Sequence, residues 1–147
     1  MIQSKVENHE SSIILISGWE MQCCGTPFAI GDSIKWLVSK WSWGEGYIAP
    51  EGIKEISYFY NEHSSDWQDL FSLTGKVATI KAVFESFVPN PENEKFLMRA
   101  SGETSIRKVT YADGWDKDVD GKKFDCYIVD LENVSVAPAR QSEVTFK

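Results

Sequence analysis

Residues 75–88 read GKVATIKAVFESFV, and apolar side chains alternate with polar ones along this stretch. One face carries the apolar residues Ala78, Ile80, Ala82, Phe84 and Val88, and the opposite face carries Thr79, Lys81 and Glu85. A period of two residues is typical of a β-strand with one buried face. The stretch therefore predicts a strand that begins at Gly75 and has its apolar face in a core.

Further short runs rich in β-branched and aromatic residues occupy much of the remaining chain, with turn residues between them. These runs are Ile13–Ile16, Ser33–Val38, Ile53–Tyr60, Phe96–Ala100, Ile106–Tyr111 and Phe124–Val136, the last interrupted near Glu132 and Asn133. Seven or eight short strands without long helical patterns are typical of barrels and sandwiches. We predict an all-β, mostly antiparallel fold, a small partly open barrel of OB-like or SH3-like character.

One short helix is expected in this barrel. Residues 65–68 fit a capping box, and Trp67, Leu70 and Phe71 have the i, i+3, i+4 spacing of a helical face. The polar region 63–73 around it is the candidate seam in an otherwise single domain spanning 1–147. Residues 1–10 and 139–147 are expected to be loose termini.

Composition narrows the functional classes. The chain has 147 residues with a net charge of −7, and this acidic balance disfavours nucleic acid as a partner, because nucleic-acid binders neutralise phosphates with Lys and Arg. The N-terminal residues lack the pattern of a signal peptide, and no apolar run has the length of a membrane span. We therefore expect a cytoplasmic protein without membrane contact, and we predict no cofactor.

The segment from Trp19 to Trp36 contains a distinctive pattern: Trp, three residues, Cys-Cys-Gly-x-Pro-Phe, two residues, Gly-Asp. This pattern resembles an uncharacterised bacterial family of small proteins, a domain of unknown function. The start of the strand at Gly75 and residues 127–131 carry a weaker likeness. The resemblance implies neither an activity nor a substrate.

The same segment has a structural interpretation and two chemical ones. In the structural one, Trp19, Phe28 and Trp36 are core anchors and the small cysteines fill gaps between them. In the chemical ones, a cysteine is a nucleophile activated by His63, or a zinc ion is bound. The zinc ligands would be Cys23 or Cys24 together with Cys126 and His63.

Residues 116–121 read DKDVDG and match the opening of a calcium-binding loop at every acidic position. The match fails at its twelfth position, where Tyr127 replaces the expected glutamate. The alternative is a hairpin tip in which Asp120 and Gly121 form a type I′ turn. The sequence favours the hairpin.

Residues 41–47, WSWGEGY, interleave aromatic side chains with glycines. Such a segment is either a stacking platform for a ligand or a loop pinned to the barrel by its own rings. His63 is the best candidate for acid–base chemistry because its ordinary pKa is near neutral. The candidate ligand-binding residues are therefore Trp19, Cys24, Trp41, Trp43 and His63.

No familiar catalytic motif is present in the sequence, and no catalytic residue is assigned. The leading hypothesis is a non-enzymatic binding or protein-interaction module whose partner is a protein or a small ligand. One alternative is a zinc-binding protein that uses cysteine and histidine. A second alternative is an immunity-like acidic inhibitor of a basic toxin, since opposite charges accelerate association.

Overall fold

The computed structural model describes residues 6–23, 25–41, 55–62, 67–99 and 104–140. These ranges contain one short α-helix, one turn of 3₁₀-helix at Trp67–Asp69, and ten strands. Helix α1 spans Gly18–Cys23. The strands are β1 Glu7–Ser17, β2 Phe28–Ala29, β3 Ser33–Lys40, β4 Tyr58–Tyr60, β5 Phe71–Glu85, β6 Phe87–Asn90, β7 Asn93–Arg99, β8 Ser105–Val109, β9 Tyr111–Ala112 and β10 Lys123–Pro138.

Five strands form a closed barrel in the order β10-β1-β4-β3-β5, and the sheet closes because β10 pairs with both β1 and β5. The all-β barrel predicted from the sequence is confirmed, and closure leaves fewer exposed sheet edges than a partly open barrel would. All these pairings are antiparallel except that of β1 with β4. Strand β8 pairs in antiparallel fashion with residues 80–84 in the C-terminal half of β5.

Two small two-stranded sheets accompany the barrel. Strands β2 and β9 form one two-stranded sheet, and β6 and β7 form another.

Among the described residues, no helix is long and apolar enough to cross a membrane.

The predicted strand at Gly75 is longer than expected, because β5 begins at Phe71. Phe71 and Leu73 pair with β3 and β10 on either side, so these residues extend the barrel instead of the predicted helix, which is reduced to Trp67–Asp69. Residues 71–73 of the candidate seam at 63–73 therefore belong to a barrel strand. Residues 63–66 of the seam lie outside the described part.

The termini also differ from expectation. Residues 7–10, which we expected to be loose, belong to β1, because Glu7 to His9 pair with Val134 to Val136 of β10. The predicted break near Glu132 is a β-bulge within a continuous strand, with Asn133 at a φ of 54°. Residues 141–147 lie outside the described residues.

The barrel interior is filled by alternating side chains from all five strands. Its members include Ile14, Ile16, Trp36, Leu73, Ile80, Tyr127 and Val129. A bulge near Asp130 brings Val77 into this core. Glu85, assigned by its periodicity to the polar face, is 1% exposed and accepts a hydrogen bond of 3.3 Å from the Thr104 hydroxyl.

A second apolar cluster, here called the outer cluster, lies outside the barrel wall, on residues that alternate with the interior ones. It comprises Leu15, Ile56, Val83, Cys126 and Ile128, with Ile13, Trp41 and Phe59 packed against it. The strands that supply this cluster are therefore apolar on both faces, as the continuous run Ile13–Ile16 predicted.

Candidate binding site at helix α1

Helix α1 begins where β1 ends, and a glycine makes this transition possible. A Cβ atom on Gly18 would lie 2.8 Å from the Phe124 ring and 2.9 Å from the Asp125 carbonyl oxygen. The helix ends at Cys23, and the Gly25 amide then donates to the Glu20 carbonyl oxygen at 2.9 Å. The close approach at Gly18 lets α1 lie directly on the end of the barrel.

The helix buries Glu20 and Met21 and leaves Trp19 58% exposed. The prediction that Trp19 is a core anchor is therefore wrong. Its two proposed companions, Phe28 and Trp36, are buried and pack edge-to-face with 5.0 Å between their ring centroids. Trp19 points away from this core because α1, which the sequence reasoning did not predict, turns it outward.

Trp19 borders a small, mainly apolar cavity of about 180 Å³, here called the α1 cavity. Its lining consists of Leu15, Ser17, Trp19, Glu20, Phe59, Tyr60 and Asn61. Pockets for drug-sized ligands span roughly 300–1,000 Å³, so the α1 cavity is too small for such a ligand. Its volume suits one inserted side chain.

Phe59 connects this cavity to a second predicted residue, Trp41. The rings of Trp41 and Phe59 pack edge-to-face with 6.2 Å between centroids, and Phe59 also lines the α1 cavity. Trp41 is half-buried against the outer cluster, and the rest of the aromatic segment, residues 42–47, lies outside the described residues. Two of the five candidate ligand-binding residues, Trp19 and Trp41, are thus gathered around one phenylalanine that the sequence reasoning missed.

The acidic member of the cavity is Glu20, which is 5% exposed. Burial, together with the nearby charge of Glu62, raises the pKa of Glu20 from its ordinary 4.5 to about 8. Glu62 itself is held by the Leu37 amide, which donates to its carboxylate at 3.2 Å. At neutral pH the α1 cavity therefore contains a protonated carboxyl group close to an anchored carboxylate.

The loop of residues 113–121 is attached to the exposed side of α1. The Gln22 side-chain amide donates to the Gly114 carbonyl oxygen at 2.8 Å. Gln22 and Trp19 are three residues apart and share a helical face, so the loop adjoins the surface that carries Trp19. The loop presents Trp115, which is 67% exposed.

Tyr127 anchors this loop from the barrel core. Its hydroxyl accepts a hydrogen bond of 3.0 Å from the Gly114 amide and donates a short one to the Asp116 carboxylate. Burial and the bond to Asp116 raise the pKa of Tyr127 above its ordinary value. The phenol therefore stays protonated and keeps its donor role across the physiological pH range.

The DxDxDG motif at the tip of this loop forms the predicted hairpin. Val119 and Lys122 exchange two backbone hydrogen bonds of 2.9 and 2.8 Å. Asp120 and Gly121 between them have φ angles of 50° and 75°, as a type I′ turn requires. The prediction of a hairpin is confirmed.

The cysteines lie in different environments. Cys126 is fully buried among the apolar side chains of the outer cluster, whereas Cys23 is exposed, and its thiol contacts the Glu20 carbonyl oxygen at 3.7 Å. In the described ranges, no group of three or more His, Cys, Asp or Glu side chains could hold a metal ion. Cys24, Trp43 and His63 lie outside those ranges.

The sequence reasoning missed two residues of the α1 cavity, Glu20 and Phe59, and the exposed Trp115 of loop 113–121. Glu20 looks like one of many surface acids, and Phe59 falls between two buried tyrosines of a short strand. Trp115 lies beside the acidic motif, which could have drawn attention to it as an exposed aromatic residue among charges. Glu20 and Phe59 meet in the α1 cavity because β1 pairs with β4, a strand distant in the sequence.

Fold and site together define a closed five-stranded β-barrel with a helix-capped end and an aromatic cavity. A family model described as "Family of unknown function (DUF6578)" matches residues 10–133, and the chain belongs to this family. No curated protein and no solved structure matches this chain.

Proposed function

We propose that this protein is a non-enzymatic interaction module that binds a basic protein partner through the α1 cavity. The observation that carries the proposal is the small apolar cavity of about 180 Å³ bordered by Trp19, which is 58% exposed. Exposed tryptophans beside a pocket are typical of the few residues that dominate protein–protein binding energy. The volume accommodates a partner's side chain rather than a free small molecule.

The charge around the cavity favours a positively charged partner. Loop 113–121 carries four aspartates and one lysine, and the whole chain has a net charge of −7. Such a surface attracts a basic protein over a distance of roughly a Debye length, about 8 Å at physiological salt, and raises the association rate. The acidic side chains of this loop also disfavour acidic partners.

The anchor that best fits the cavity is a lysine or arginine side chain. Its aliphatic stem would lie against the apolar rings of Trp19 and Phe59. The charged head would lie close to Glu20 and the neighbouring Glu62. A cation at this position favours the ionised form of Glu20, so binding releases a proton near neutral pH.

An acidic inhibitor of a basic toxin is one specific form of this proposal. It is supported by the small size and negative charge of the chain, since tight inhibition of a toxin requires fast association. Co-expression with a candidate basic toxin tests this form. Protection that is lost in Trp19→Ala supports it, and unchanged protection in that variant contradicts it.

Affinity capture with matched variants tests the general proposal. Immobilised wild-type protein, Trp19→Ala and Ile106→Ala are exposed to the same lysate, Ile106 being an exposed apolar residue of β8. We expect a basic protein to bind the wild type and Ile106→Ala, and to bind Trp19→Ala at least about thirtyfold less, the loss of about 2 kcal/mol that marks a binding hot spot.

A calorimetric measurement makes the capture result decisive. Isothermal titration of the purified partner in two buffers of different ionisation enthalpy should show proton release at pH 7. A partner that is acidic, that binds Trp19→Ala as well as the wild type, or that binds without proton release would contradict the proposal.

A further inference from the structure

Near the N-terminal end of β1, opposite the end that leads into α1, strand register places three polar residues in a row on the outside of the barrel. Lys35 of β3 pairs with Thr74 of β5, and Thr74 pairs with Ser135 of β10. Adjacent strands lie about 4.8 Å apart, so the row spans roughly 10 Å. Its side chains point outward, because their neighbours Trp36, Leu73, Val134 and Val136 fill the interior.

This row forms part of a cavity of about 400 Å³. Its lining includes Lys35, Arg140, Ser72, Thr74, Ser135 and Val6. The volume falls within the range of small-molecule sites, unlike that of the α1 cavity. Val6 of this cavity and Leu15 of the α1 cavity are nine positions apart in the sequence, so the extended chain separates the two cavities by about 30 Å.

The polar groups of this cavity are mainly donors. Lys35 and Arg140 are cations, and the hydroxyls of Ser72 and Thr74 can each donate a hydrogen bond. Ser135 has a positioning role, since its hydroxyl donates to the Asn8 side-chain oxygen at 2.8 Å. No carboxylate is found among the described residues that line the cavity, although the chain has an excess of acidic residues.

We propose that this cavity binds the phosphate group of a phosphate monoester. Two positive charges match the charge of a phosphate dianion, and the planar guanidinium of Arg140 suits paired phosphate oxygens. The two hydroxyls add neutral donors to the remaining oxygens. The apolar side chain of Val6 at the rim would contact the carbon skeleton of the ester.

A soluble ester and a lipid headgroup carry the same phosphate chemistry, and two assays distinguish these sources. In the first, glycerol 3-phosphate is titrated into ¹⁵N-labelled protein and the amide resonances are followed. In the second, the protein is sedimented with phosphatidylcholine vesicles that contain or lack phosphatidic acid. Saturable shifts at Ser72, Thr74 and Ser135 indicate a soluble ester, and sedimentation specific to phosphatidic acid indicates a lipid.

The double variant Lys35→Gln/Arg140→Gln should weaken whichever binding is seen by at least about tenfold, because it removes two charge-assisted contacts. The matched control is Arg107→Gln/Lys108→Gln, which removes the same charge from two exposed positions on β8 and should bind like the wild type. Circular dichroism verifies that both variants are folded. Absence of binding in both assays, or equal loss in both double variants, overturns the proposal.

Discussion

The ring of Trp41 packs edge-to-face on the ring of Phe59, with 6.2 Å between their centroids. Phe59 in turn lines the cavity bordered by Trp19. The end of β3 and the start of α1 are therefore connected through one side chain of the three-residue strand β4. This arrangement makes Phe59 the residue whose removal should affect both the outer cluster and the α1 cavity.

Phe59→Ala should destabilise the protein by about 2–3 kcal/mol, somewhat less than a fully buried phenylalanine, because Phe59 is half-buried. Urea unfolding followed by circular dichroism measures this change. Phe59→Leu retains most of the apolar volume and should cost less than about 1.5 kcal/mol. Equal stability of the wild type and Phe59→Ala would show that the contact with Trp41 does not support the fold.

The raised pKa of Glu20 predicts a specific dependence of stability on pH. Because the pKa of Glu20 is about 8 in the folded protein and near its ordinary 4.5 when unfolded, folding takes up a proton between these values. The stabilisation is complete below pH 4.5 and is lost as the pH rises towards 8, by at most about 1.4 kcal/mol per pH unit.

Glu20→Gln should remove this dependence and make the protein more stable than the wild type at pH 8.5. Urea unfolding at pH 5.5, 7 and 8.5 measures the slope, and Glu10→Gln, an exposed position on β1, is the matched control. If the free energy of unfolding of Glu20→Gln changed with pH as steeply as that of the wild type, Glu20 would not be the group with the raised pKa.

Tyr127→Phe should release loop 113–121 while keeping the buried ring. The substitution removes the hydroxyl that bonds to Gly114 and Asp116, and we expect a loss of about 1–3 kcal/mol, since one bond partner is charged. Hydrogen exchange of the Gly114 amide should become faster. Tyr111→Phe removes a hydroxyl from a 53% exposed tyrosine and should change neither quantity.

Alanine substitutions at two glycines of loop 113–121 distinguish the cost of backbone strain from the cost of steric overlap. Gly114 and Gly121 have φ angles of 88° and 75°, so alanine at either position costs about 1–2 kcal/mol in conformational strain. A Cβ atom on Gly114 would also lie 2.8 Å from the Met21 Cβ, whereas one on Gly121 meets nothing within 4 Å. Thermal unfolding should therefore show a clearly larger loss for Gly114→Ala, and equal losses would argue against tight packing of the loop on α1.

The cysteines should differ in reactivity. In a Cys24→Ser background, a thiol reagent should label Cys23, which is exposed, and should label Cys126, which is fully buried, only after unfolding in urea. Mass spectrometry of the native and the unfolded protein counts the labels. Rapid labelling of two thiols in the native protein would contradict the burial of Cys126 in the outer cluster.

Local patterns in the sequence determined which segments form strands and some of the turns. The alternation in residues 75–88 and the dipeptide Asp120-Gly121 act through backbone geometry over a few residues, and the strand and the hairpin that they predicted are confirmed. The alternation was wrong for Val88, which lies in β6 and is 40% exposed. The same patterns place a residue on one of two faces but do not say which faces become covered. Glu85 shows this limit, since it alternates with the apolar face and is nevertheless buried.

The candidate site depended on tertiary structure for a related reason. Trp19, Phe28 and Trp36 are similar in sequence character, but Trp19 is exposed, because Gly18 allows α1 to turn it away from the barrel end. Phe59 and Glu20 meet in one cavity only because β1 pairs in parallel with β4, a contact between residues more than forty positions apart. Periodicity determined the strands of this protein, whereas closure of the barrel decided which side chains are exposed at its end.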